Sequence, residues 1–344
     1  MPEPTTPLAD DALPQAVGLI GGGVIGGGWA ARVLLAGVDV RLYDPDPEAG
    51  RKLKEILDNA RTATQSLHVA PMPTEGTATV VGSPAEAAAG VQFIQESAPE
   101  REDVKCALLA EASAAAAPEV VIGSSTSGLL PSRLQADMTH PERFIVGHPF
   151  NPVYLLPLVE VCPGELTEPE AVERAAAVYT AIGMRPLRIR REIDGFVADR
   201  LLEALWREAL WLVNDGVATV EDVDDAIRFG AGLRWASMGT MLTYRMAGGE
   251  GGMRHFMAQF GPALKWPWTK LTDVPDLTEE LLDRIEAQSD AQAGAASVRD
   301  LERLRDECLV AVLRGLREVP YGAGEVLASY DELLRQRARG GQPA

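Results

Sequence analysis

Residues 16–27 read AVGLIGGGVIGG, and the reading of this stretch decides the fold. Ala16-Val-Gly-Leu-Ile is a short apolar run bounded by glycine, the pattern of a strand buried on both faces. Gly21, Gly23 and Gly26 match G-x-G-x-x-G, and the chain then turns helical through Leu35. A second strand, Val38-Asp-Val-Arg-Leu-Tyr, ends in Asp44, eighteen residues past Gly26. Each part has a physical reason. Gly21 permits a tight turn, Gly23 lets a pyrophosphate approach the backbone, and Gly26 lets helix and strand pack closely. Val24 and Ile25 open the helix, whose N-terminal amides suit a phosphate. Asp44 accepts from a ribose 2′-hydroxyl and repels a 2′-phosphate, and no arginine directly follows it, so NAD is favoured over NADP. The competing reading is a structural glycine turn with a solvated aspartate. The strand–turn–helix–strand–acid context weighs against it.

Working outward, the alternation continues. A charged helix is expected from about Glu48 to Leu67. Further strands are expected at Ala78–Val81, Val91–Gln95, Val120–Gly123, Phe144–Val146, Leu156–Val161 and Pro186–Ile189. Thr167, with Glu170 three residues on, reads as a capping box for the helix before the last strand. The pattern predicts an α/β, Rossmann-type, doubly wound, mainly parallel sheet over 15–193. From Phe196 the patterns are all helical: a long helix to Gly216, a Thr219-capped helix stopped by Gly230, and a third over Ser297–Glu318. A helical substrate and dimerisation domain is placed at 194–320, with tails at 1–14 and 321–344.

The bulk numbers set limits. The chain has 344 residues, a length that fits two domains of about 100–200 residues. A net charge of −18 argues against nucleic acid or an anionic membrane surface as partner. Three cysteines without C-x-x-C spacing suggest neither a disulfide framework nor a zinc site, and four histidines without an i,i+4 pair add no metal site. The N-terminus lacks a basic and an apolar region, and no apolar run approaches a membrane span, so a soluble cytoplasmic protein is expected.

Residues 147–152, GHPFNP, place one of the four histidines at the end of an apolar run before two prolines. His148 reads either as a satisfied structural residue or as a base, since imidazole ionises near neutral pH. Twelve residues on, Glu160 sits in the middle of the apolar run Leu156-Pro-Leu-Val-Glu-Val. A buried carboxylate without a partner costs several kcal/mol, so Glu160 requires an N–H or cationic partner. That partner is an imidazole on a neighbouring strand or a structural arginine.

Here a resemblance becomes specific. Gly21–Gly26, Ser124-Ser-Thr-Ser-Gly, His148-Pro-Phe-Asn-Pro, Leu158-Val-Glu-Val and Gly195-Phe-Val-Ala-Asp-Arg follow the order and spacing of the 3-hydroxyacyl-CoA dehydrogenase family, which the chain resembles over roughly 15–300. The resemblance implies an NAD-dependent dehydrogenase and a homodimer through the helical domain. It makes His148 the base and Glu160 its partner. It makes Ser127 the hydroxyl on the reacting oxygen and Lys105 a group near nicotinamide and substrate. One position departs: Asp199 stands where the family usually has asparagine, and an ionised aspartate cannot donate a hydrogen bond.

The second half resembles the carnitine-oxidising branch of that superfamily, through stretches such as FGAGLRWASMGT and TYRMAGGEGGMRHF. That resemblance implies L-carnitine as substrate. Its quaternary ammonium cannot donate an N–H bond and is held by aromatic faces and carboxylates. Five of six tryptophans (Trp206, Trp211, Trp235, Trp266, Trp268) fall in this half, and Asp199 could supply the charge. Phe150, Gly195, Ala198, Gly230 and Trp235 are the remaining candidates for the substrate pocket. Arg200, Arg234, Arg245 and Lys105 all remain candidates for its carboxylate. L-gulonate, a short 3-hydroxyacyl-CoA, and a non-catalytic NAD-binding role are the alternatives.

Overall fold

The computed structural model describes residues 12–260, 276–319 and 321–340; Trp266 and Trp268 lie outside them. The chain divides into two compact units, 1–197 with 306–344, and 198–305.

The first unit is built on eight strands: β1 (Ala16–Ile20), β2 (Asp39–Tyr43), β3 (Ala78–Val81), β4 (Phe93–Glu96), β5 (Val121–Ser124), β6 (Phe144–Pro149), β7 (Leu158–Pro163) and β8 (Arg185–Arg188). Their order is β3-β2-β1-β4-β5-β6-β7-β8. All neighbours are parallel except β6 and β7. The helices between them are α1 (Val24–Leu35), α2 (Ala49–Leu67), α3 (Pro84–Ala88), α4 (Glu102–Ala115), α5 (Pro131–Leu134) and α6 (Pro169–Ala181). Because side chains alternate along a strand, Leu19 joins the core beneath α1 and α2 while Ile20 joins the one beneath α4. Both faces are covered, which is why β1 carries no polar side chain. The order in which strands are added reverses between β1 and β4, the switch point at which such sheets bind ligands.

Two local expectations are corrected. The N-cap of α6 is Glu168, with Pro169 in the first turn. The Thr167 hydroxyl instead donates to Phe144 O at 2.6 Å and accepts from Gly164 N at 2.9 Å, so it serves the strand end rather than the helix. Residues 321–344, read as a tail, include a helix whose buried Tyr330, Leu333 and Leu334 pack with Ala70.

The second unit contains α7 (Ala198–Asn214), α8 (Val220–Ala226), α9 (Gly232–Trp235), α10 (Thr240–Ala247), α11 (Gly252–Phe260), α12 (Glu279–Ala293) and the start of α13 (Val298–Arg317). The final helix, α14 (Ala323–Gly340), belongs to the first unit with the rest of α13. Thr219 and Asp222 form the capping box of α8. Arg284 donates to Val213 O and Asn214 O at 3.3 and 3.0 Å, satisfying carbonyls at the end of α7. Gly230 marks a kink (φ −113°, ψ −108°) rather than a stop, because helical backbone resumes on both sides. Tyr244, Phe256 and Phe260 stack in series, at 4.8 and 4.9 Å between centroids. No helix among the described residues is long and apolar enough to cross a membrane.

Candidate active site

The glycine loop lies at the C-terminal end of β1. Gly21 has φ +97°, and a Cβ there would fall 2.6 Å from Ser97 O, so both conformation and space require glycine. A Cβ on Gly26 would sit 1.8 Å from Gly21 O, whereas one on Gly23 meets nothing within 4 Å. Gly23 is the N-cap of α1, no side chain caps this helix start, and its first turn holds no acid. The orphan amides there, of the turn opened by Val24 and Ile25, suit an anion. Asp44 is fixed beside them, Oδ2 accepting from Gly22 N at 2.6 Å and Oδ1 from Asp46 N at 2.7 Å. These residues fit a dinucleotide, with pyrophosphate on the uncapped helix start and ribose on Asp44. Gly26→Ala is expected to weaken NAD binding at least about tenfold, about 1.4 kcal/mol, read by fluorescence titration; unchanged affinity would show that the loop tolerates the collision.

The antiparallel pairing of β6 and β7 sets His148 directly opposite Glu160. Nδ1 of His148 lies 3.0 Å from Glu160 Oε2, with His148 6% and Glu160 0% exposed. A carboxylate can only accept, so Nδ1 carries the hydrogen and Nε2 is the basic nitrogen. The other oxygen, Oε1, accepts from Val197 N at 3.0 Å. That amide is delivered by a backbone turn in which Gly195 (φ 68°) and Phe196 (φ 47°) both occupy the left-handed region. For phenylalanine this conformation is strained, and here it is held by complete burial. The rings of Phe150 and Phe196 stand 4.9 and 5.8 Å from the imidazole. Behind it, Gln95 donates to Gly147 O at 3.0 Å and accepts from the Tyr179 hydroxyl at 2.6 Å. Burial pushes the Tyr179 phenol well above its ordinary pKa, so it stays a donor.

Ser127 lies in the loop after β5. Glu100 Oε1 holds this loop, accepting from the Thr126 hydroxyl at 2.5 Å and from Ser127 N and Gly128 N at 3.0 and 3.2 Å. Burial alone would raise the Glu100 pKa, but the Thr126 hydroxyl, the Lys105 charge and the two amides outweigh it and leave it below the ordinary range. Lys105 is 1% exposed. Its Nζ donates to Glu96 Oε1 at 2.8 Å and Ala98 O at 2.9 Å, and lies 3.5 Å from Glu100 Oε2. It is therefore no solvated helix lysine, and its ammonium is turned inward because Glu96, 0% exposed, requires a cation there. Glu96 and Glu100 escaped the sequence reading, although two acids around a lysine were a visible signal.

The structure thus brings together His148, Glu160, Phe150 and Gly195, and separately Gly21, Gly23, Gly26 and Asp44. Ala198, Asp199, Gly230 and Trp235 belong to the second unit, as do Arg200, Arg234 and Arg245.

Comparison with known proteins places this geometry. Residues 16–193 match the 3-hydroxyacyl-CoA dehydrogenase NAD binding domain, and 195–283 the C-terminal domain of the same family. A relative from Mesorhizobium japonicum named L-carnitine dehydrogenase is 55% identical over 93% of this chain and 89% of its own length. One of the same name from Pseudomonas aeruginosa is 59% identical over 87% of this chain and 93% of its own. The chain spans only 66% of the Rhizobium meliloti L-carnitine dehydrogenase/betainyl-CoA thioesterase, at 55% identity over 94% of the chain. Among solved structures, an NAD⁺-dependent 5-formyl-3-hydroxy-2-methylpyridine 4-carboxylic acid 5-dehydrogenase superposes with a TM-score of 0.73 at 28% identity, over 87% of this chain and 97% of that one. The chain belongs to the 3-hydroxyacyl-CoA dehydrogenase family and is an NAD-dependent dehydrogenase.

Proposed function

We propose that the chain oxidises the 3-hydroxyl of L-carnitine to 3-dehydrocarnitine, with His148 as general base. The observation that carries the base assignment is the buried Glu160 carboxylate on His148 Nδ1, which leaves Nε2 as the proton acceptor. The names of the relatives supply the substrate. When bound, NAD⁺ accepts the hydride from the carbinol carbon. His148 Nε2 takes the hydroxyl proton, and Glu160 stabilises the imidazolium that results. Ser127, on the loop gripped by Glu100, donates to the oxygen as it becomes a carbonyl. The test is L-carnitine deuterated at the carbinol carbon. Deuterium should appear at C4 of NADH with a primary isotope effect on single turnover, and unlabelled NADH would contradict the reading.

Asp199, where the family usually has asparagine, is assigned to the quaternary ammonium as its counter-charge. Asp199→Asn is expected to raise the carnitine KM by about three- to tenfold, on the order of 1 kcal/mol, with NAD affinity unchanged. An unaltered KM would remove the assignment. Leu201, Leu202, Leu205 and Trp206 form an exposed apolar stripe on α7, at helical spacing. A second copy of the chain is assigned to cover it, which sedimentation would show as a dimer.

A further inference from the structure

The loop 150–157 joins β6 to β7, and so joins His148 to Glu160. Because the two side chains face each other across an antiparallel pair, the seating of this loop sets their alignment. The loop is gripped from two sides. Arg32 on α1 donates to Val153 O at 2.6 Å and Leu156 O at 3.2 Å, and further to Ile182 O and Gly183 O at 3.2 and 3.3 Å. Burial lowers the guanidinium to about 10, so it remains charged at neutral pH. From the other side comes α13, some 150 residues along the chain. The Tyr154 hydroxyl donates to Asp306 Oδ2 at 2.5 Å, and Leu155 packs with Val310 and Leu313. Asp306 is 7% exposed. A carboxylate is held out of water at a cost, and here its hydrogen bond reaches into the loop between the base and its partner.

We propose that α13 from Asp306 to Leu313 is a brace that seats the loop between His148 and Glu160, with Tyr154 and Asp306 as positioning residues. The inference rests on the base assignment above. It is distinct from the fixing of α14, where Asp331 meets His68 Nδ1 at 2.6 Å at the end of α2 and lies 3.8 Å from Arg317, past the brace on α13.

The test uses the full-length protein in NADH formation from L-carnitine. Tyr154→Phe and Asp306→Asn are each expected to lower kcat about tenfold, the scale of a sub-ångström misplacement of a catalytic group. KM for NAD should stay within about twofold, since the glycine loop is untouched. The kcat–pH profile should move with them, because the imidazole is no longer seated on Glu160. The double variant should be no worse than either single one, as both break one joint. Asp331→Asn, which weakens the contacts of α14 with His68 and with Arg317 but leaves the Tyr154–Asp306 bond and the Leu155 packing in place, should lower Tm and leave kcat unchanged. Wild-type kcat in Tyr154→Phe and Asp306→Asn would overturn the proposal. So would an equal kcat loss in Asp331→Asn, which would assign the effect to general stability. His148→Asn separates the two levels: if it stays active the base assignment itself falls, whereas an inactive His148→Asn beside wild-type Tyr154→Phe removes the brace alone.

Discussion

His148→Asn is expected to lower kcat by about a thousandfold, within the range of about 10²–10⁴ that a positioned base contributes. NAD affinity should be unchanged. The imidazole lies at the end of β6, and the dinucleotide residues lie at the ends of β1 and β2. Asparagine retains an N–H donor, so the buried Glu160 carboxylate need not be left unpaired, and loss of activity can be read as loss of the base. Steady-state kcat together with a fluorescence titration of NAD checks both halves. Retained turnover would mean that another group takes the proton.

Glu160→Gln is expected to lower kcat about a hundredfold and to cost stability as well. The carboxylate serves two donors, the imidazole Nδ1–H and the Val197 amide. An amide offers one oxygen and one NH₂, so either one of those donors faces another donor, or the NH₂ turns to Nδ1 and drives the imidazole hydrogen onto Nε2, which removes the base. Leaving a buried polar group unsatisfied costs about 1–3 kcal/mol. The imidazolium formed during turnover also loses its counter-charge in a site where screening is weak. The measurement is kcat and Tm on the same preparation. A fall in Tm with full activity would reduce Glu160 to a structural residue.

The strand rhythm and the cofactor loop were legible because they depend on local periodicity and on glycines whose steric role is local. Gly21, Gly26 and Asp44 need only the two strands and one helix that surround them. The His148–Glu160 pair was legible for a different reason: an acid in the middle of an apolar strand demands a partner, and a histidine twelve residues earlier could return opposite it. What escaped depends on distant chain. Lys105 is the exception, since it turns inward toward Glu96, only nine residues earlier at the end of β4, whose burial comes from the strands on either side. The second clamp on Glu160 is a backbone amide 37 residues away, invisible to any reading of side chains. Arg32 looks like a surface residue of a dinucleotide helix until its four carbonyl acceptors are seen. The C-terminal helix carried a readable signal in Leu327, Tyr330 and Leu334, but its short run before RARGGQPA resembled a tail.

The central claim is that a 3-hydroxyacyl-CoA dehydrogenase scaffold here oxidises a small cationic 3-hydroxy acid. The measurement that tests it most directly is the rate of NADH formation from NAD⁺ with L-carnitine, D-carnitine, L-gulonate and 3-hydroxybutyryl-CoA at equal concentrations. The account predicts turnover with L-carnitine and none above background with the other three. Faster turnover of the CoA ester or of gulonate would keep the base and the cofactor and contradict the substrate; silence with all four would contradict the claim as a whole.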